Sequence, residues 1–261
     1  MQRVNLLIFI LSSAFVPACA GDSNMAKCKN EKKDISTVTS REEVEKIETS
    51  NGPSGCSYLT YRDDVRTKLD EKKYDEAISI LTKLIEFYPE DFDLYGQIAA
   101  SYAAIAGVES PEFIRDMTTT NGFFETGKAK FPSDGPAWIS AKSNIGYAIQ
   151  WFNTKVALQA SPTLSASDRL MGSVYRMAES MIVTNRVLEK NASGKWDQER
   201  LKSLTTDDVN TIVDNMDTIV NTIQDEALKQ KFKEFQGSRN LTDEQKKQLI
   251  IEAIQKENSK T

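Results

Sequence analysis

The chain of 261 residues contains no histidine. That removes the commonest general base and the commonest metal ligand together. Cysteine is scarce, at three residues, so a structural zinc site with four cysteine or histidine ligands is excluded. No Ser-x-x-Lys pair occurs, and without histidine no serine triad can be assembled. Carboxylates and lysine are the catalytic groups that composition leaves, and an enzyme is not expected. The net charge is −5 and no basic block stands out, which argues against nucleic acid as a partner. From Tyr58 onward no alternating strand pattern of useful length appears.

What is present is an ordinary globular balance, 27% charged and 39% apolar residues. The length suits one large domain or two small ones.

The start of the chain, MQRVNLLIFILSSAFVPACAGDS, has one positive residue, Arg3, then the apolar run Leu6 to Leu11, then small residues. This is the layout of a secretory signal peptide, and the apolar run is short for a membrane span. Val16-Pro17-Ala18-Cys19 resembles a bacterial lipobox, with an aliphatic residue three before the cysteine and a small one directly before it. Pro17 departs from the small residue usual at its position. The resemblance implies a signal peptide over 1–18 and a lipidated Cys19 holding the chain to a membrane. It implies a protein of the bacterial cell envelope, and the absence of Asp after Cys19 points to the outer membrane, facing the periplasm. Ala18-Cys19-Ala20 also fits ordinary signal cleavage, which leaves a chain beginning at Gly21.

Residues 19–57 are polar and read as a tether, with one short helix expected from Arg41 to Glu48 and ended by Asn51-Gly52-Pro53. Cys28 and Cys56 flank it. In an oxidising compartment two cysteines most simply pair, closing a loop of about 29 residues worth up to ~3 kcal/mol. Two free thiols are the alternative.

From Tyr58 the periodicity is helical, so the expected fold is all-α. In YDEAISILTKLIEFYPEDFDLYGQIAASYAAIAG, Tyr74, Ala77, Ile78, Leu81, Leu84 and Ile85 share one face. Pro89 stops that helix. A second begins near Phe92, with Leu94, Tyr95, Ile98, Tyr102 and Ile105 inward. Tyr61, Val65 and Leu69 give a weaker helix before them. The stretch resembles a tetratricopeptide repeat, two antiparallel helices in about 34 residues. The resemblance rests on Tyr74-Asp75-Glu76-Ala77, on Pro89, and on Tyr95, Ile98, Ala99 and Tyr102. The pattern returns with Trp138, Ala141, Lys142 and Ile145 six residues after Pro132, with Lys142 in place of a small residue. An insertion is expected around Glu109 to Asn121. The resemblance covers 58–160 and implies helical hairpins stacked into a short right-handed array, with the region 161–261 packed on it.

One stretch, GFFETGKA at 122–129, has the outline of a phosphate-binding loop. Such a loop needs a preceding strand, and a Ser or Thr after the lysine to ligate Mg²⁺. Here Ala129 follows Lys128 and no strand pattern precedes. Gly127 is read instead as a small residue where two helices meet, and Lys128 as a solvated charge.

In the C-terminal half a long helix is expected over Ser167 to Glu189, with Leu170, Val174, Met177, Ala178, Met181 and Leu188 buried. Another starts near Asp207 with Thr206 as N-cap and the stripe Val209, Ile212, Val213, Met216, Ile219, Val220, Ile223. In the last helix Thr242 and Gln245 spell a capping box, with Leu249, Ile250, Ala253 and Ile254 inward. It is expected to cap the open end of the array. Asp207, Asp208, Asp214 and Asp217 lack the spacing and glycine of a calcium loop and read as a solvated face. No metal or cofactor is expected.

Stacked hairpins make grooves. The first expectation is therefore a lipid-anchored scaffold that binds a protein or peptide, with Arg62, Arg66, Gln97, Ser143 and Tyr147 as groove candidates. The second is a small apolar ligand held near Met171, Met177, Met181 and Trp151. In that reading the architecture looks like the lipoprotein component of periplasmic solute-binding (TRAP-type) transporters, which docks a soluble binding protein. The oligomeric state is not legible.

Overall fold

The computed structural model describes residues 34–44, 56–108, 113, 122–159, 164–192 and 194–258. The described residues are helical, with no strand and one isolated antiparallel bridge, Lys190 to Trp196. None of their helices is long and apolar enough to cross a membrane. Cys19 and Cys28 lie outside the described residues, so lipidation and the Cys28–Cys56 pairing do too. Most of the expected insertion at 109–121 also lies outside them. The chain divides into two compact units. One comprises the described residues up to Tyr102 and Gln150 onward to the end of its helix; the other holds the remainder.

The first unit is built on α1 (Cys56–Asp70) and α2 (Tyr74–Phe87), which pack against each other across a three-residue turn. Lys72 in that turn has φ 59, and the Lys73 N–H reaches back to the Lys68 carbonyl at 2.8 Å. This is a left-handed helix stop without glycine. Tyr88 closes α2 as Pro89 requires. Asp91 then opens α3 (Phe92–Ile105), its Oδ1 accepting from the Asp93 N–H at 3.0 Å. Ala77, Leu81, Leu84, Leu94 and Ile98 form the core with Tyr61 and Val65. Burial pushes the Tyr61 phenol up to about 12. Ile35, Val38 and Val44 belong to the same core. The polar tether is thus shorter than expected, because three apolar residues in 34–44 suffice to seat that segment on the hairpin. Its helix is seen from Arg41 to Val44, and the rest of the expected helix lies outside the described residues.

The second unit contains α4 (Phe123–Lys130), the first part of α5 (Gly135–Leu158), α6 (Ala166–Asn185), α7 (Gln198–Leu201), α8 (Thr206–Thr222), α9 (Glu226–Lys231) and α10 (Asp243–Asn258). Its centre is α6, which packs on α4 and α8, while α10 packs on α8. α6 is buried nearly all round from Gly172 to Asn185. Its polar residues bury because they return hydrogen bonds to their own helix: Ser173 to Arg169 O at 2.8 Å, Ser180 to Arg176 O at 3.0 Å, Thr184 to Ser180 O at 2.6 Å. The seven apolar residues of the α8 stripe are all buried. The Thr242–Gln245 capping box is present, at 3.0 and 3.3 Å.

Three local expectations are corrected. The N-cap of α8 is Thr205 rather than Thr206, in a reciprocal box with Asp208. Asp208 and Asp217 are buried rather than solvated. Asp208 pairs with Arg186, and Asp217 accepts from the Gly237 N–H at 2.7 Å and pairs with Arg239 at 3.1 Å. Lys128 is not a free surface charge: its Nζ donates to the Leu188 carbonyl and it lies 5.8 Å over the Trp196 ring.

Candidate functional site

The helix of the phosphate-loop outline ends in a filled site. Gly122 is the N-cap of α4 and offers no side chain. The vacancy is taken by Glu257 near the end of α10, whose Oε1 accepts from the Phe124 N–H at 2.8 Å and the Glu125 N–H at 3.2 Å. A Cβ on Gly122 would fall 1.9 Å from that oxygen. Burial raises the Glu257 carboxyl above its ordinary value, against the backbone N–H groups and Lys231, which pull it down. The anion-binding end of α4 is thus occupied by the chain itself. Five residues on, a Cβ on Gly127 would lie 2.9 Å from Met181 Cβ, so glycine lets α4 and α6 touch.

The groove candidates fall into different settings. Arg62 on α1 is engaged locally: its Nη1 donates to Tyr58 Oη at 2.8 Å and to Asp91 Oδ2 at 3.0 Å, and Tyr58 donates to the same carboxylate. Burial first, then the hydrogen bond to Asp91, hold the Tyr58 phenol far above its ordinary value. Alongside, Tyr58 and Tyr88 rings meet at 4.5 Å and Arg41 covers Tyr88 at the same distance. This cluster locks the turn between α2 and α3. Arg66 is exposed on α1. Gln97 is half-buried, with its carbonyl oxygen enclosed and unmatched by a donor.

Ser143 and Tyr147 are brought together on α5. They follow Ile139 at four-residue steps, the spacing that lines side chains along one helical row. Ile139 is 59% exposed and Tyr147 49%. The opposite face, Ala141, Ile145 and Ala148, is buried. Gly146 adds an open patch of backbone in the row, since a Cβ there would meet nothing within 4 Å. A helix whose inner face is satisfied still shows an isoleucine and a tyrosine to water.

Met177 and Met181 are fully buried core. Trp151 belongs to the other unit, where its ring meets Tyr95 at 5.8 Å. Among the described residues no group of three or more acidic or cysteine side chains could hold a metal ion.

Sequence reasoning missed two elements of the second unit. One is the Glu257 cap, for which the absent cap residue at Gly122 was the available signal. The other is the surround of Trp138. Its indole N–H donates to the Ile182 carbonyl at 2.8 Å, and Lys142 and Arg186 lie 5.1 and 5.5 Å from its ring centre.

No protein-family model matches the chain, and neither a curated protein nor a solved structure matches it.

Proposed function

We propose that this chain is a lipid-anchored helical scaffold of the bacterial envelope, facing the periplasm, that binds a protein or peptide partner. The observation that carries the binding is the α5 row of Ile139, Ser143 and Tyr147, two of them groove candidates, exposed on a helix whose other face is packed. Exposed isoleucine and tyrosine in one row gain from burial at about 25 cal/mol per Å², and tyrosine is favoured at interface centres. The tether and lipid rest on the export signal and Val16-Pro17-Ala18-Cys19. Tetratricopeptide-like stacking is supported by the α1–α2 hairpin, by the stop at Pro89, and by burial of Tyr95, Ile98 and Ala99.

The test is a paired substitution. Ile139→Asp and Tyr147→Asp each place a charge in the row without touching the core. Envelope proteins crosslinked to the wild-type chain are expected to lose that adduct in both variants, at unchanged chain abundance and melting temperature. An adduct that persists in both removes the α5 row from the binding surface.

A further inference from the structure

The α5 row is bordered by charge on one side. Lys142 precedes Ser143 and lies one helical turn from Ile139, on the edge that leads to Trp138. Lys142 and Arg186, the residue that closes α6, both lie against the Trp138 ring, which its bond to Ile182 O holds in place. These two cations share one carboxylate. Asp208 Oδ2 is 2.5 Å from Arg186 and Oδ1 is 3.6 Å from Lys142. The carboxylate is only 3% exposed, whereas Lys142 and Arg186 are 40% and 36% exposed. Asp208 is also committed to its own helix, where Oδ2 accepts from the Thr205 N–H and hydroxyl at 3.2 and 2.7 Å. One inward-facing negative charge therefore serves two outward-facing positive ones. The surplus is a single positive charge, spread over two donors on an aromatic platform, next to exposed isoleucine.

Resting on the docking reading above, we infer that the partner segment carries an Asp or Glu side chain beside apolar residues. Its apolar side chains cover Ile139 and Tyr147, and its carboxylate sits between Lys142 and Arg186 at the edge of Trp138. Charge complementarity of this kind orients a segment that apolar contact alone leaves free to slide along the helix.

The test uses the mature full-length chain and two synthetic amphipathic peptides that share one leucine pattern. One carries Glu beside the leucines and the other Gln at the same places. Binding is followed through the Trp138 indole proton, assigned by elimination with Trp151→Phe and Trp196→Phe. The Glu peptide is expected to bind about fivefold more tightly than the Gln peptide. That preference is expected to vanish in Lys142→Gln and at high salt, while Ile139→Asp weakens both peptides. Equal affinities, with Ile139→Asp still weakening both, overturn the charge inference and leave the docking reading intact. Failure of both peptides to bind overturns the two together. Self-association of the chain that Lys142→Gln abolishes assigns the face to a second copy and overturns the inference, as does preference for anionic vesicles over the Glu peptide.

Discussion

Replacing Gly127 by alanine tests whether the glycine is there for packing. The new Cβ would stand 2.9 Å from Met181 Cβ, 3.1 Å from its Cγ and 3.5 Å from its Cα. Two of these atoms are at the root of a fully buried side chain on α6, so the neighbour cannot swing aside. Overpacking of this kind costs about 1–3 kcal/mol. Alanine returns about 1 kcal/mol of helix propensity, leaving a net loss of about 0–2 kcal/mol. Gly146 on α5 supplies the control, since it is helical and a Cβ there meets nothing within 4 Å. Gly146→Ala keeps only the propensity gain, about 0.5–1 kcal/mol. Urea unfolding followed by far-ultraviolet circular dichroism should place the Gly127→Ala midpoint at or below wild type and the Gly146→Ala midpoint above it. If Gly127→Ala stabilises the chain as Gly146→Ala does, α4 and α6 are not in contact at this glycine and the packing explanation fails.

Glu257→Ala removes the acceptor from two N–H groups at the start of α4 and should cost about 1–2 kcal/mol in the same unfolding assay. Glu257→Gln keeps an acceptor oxygen. Because the folded-state carboxyl is raised above its ordinary 4.5, the folded chain favours the protonated group. Its contribution is therefore full below that value and is lost as pH rises through the raised one. Wild type should gain stability relative to Glu257→Gln on acidification, and an unchanged difference between neutral and acid pH contradicts this. Lys72→Gly relieves a left-handed residue and should raise the unfolding midpoint, worth about 0.5–1 kcal/mol. Asp91→Ala removes the α3 cap and strands Arg62 and Tyr58, and should cost about 2–3 kcal/mol by the same assay, more than Arg62→Ala.

Much of the helical pattern was legible because burial repeats every three or four residues. Ala77, Leu81 and Leu84, Leu94 and Ile98, and the stripe from Val209 to Ile223 are buried where periodicity put them. Local caps were nearly as legible, since Thr242 and Gln245 recognise each other at short range. What escaped were contacts between residues far apart in the chain. Nothing near Asp208 announces Arg186, and nothing near Gly122 announces Glu257. Segment 34–44 escaped for another reason: three apolar residues among polar ones carry too little pattern to be told from a tether. Of the groove candidates, helical spacing put Ser143 and Tyr147 on the exposed row. It did not reveal that Arg62 is held by Asp91, because that depends on the turn after α2.

The proposed docking sets one face of α5 against a partner. It is tested most directly by a photocrosslinking amino acid placed in turn along α5 of the full chain in its native envelope. Ile139, Ser143 and Tyr147 are the test positions, and Ala137, exposed but on the other side of the helix, is the control. One discrete adduct is expected from the three test positions and little from the control. Equal adducts from all four positions, or none from the row, contradict it.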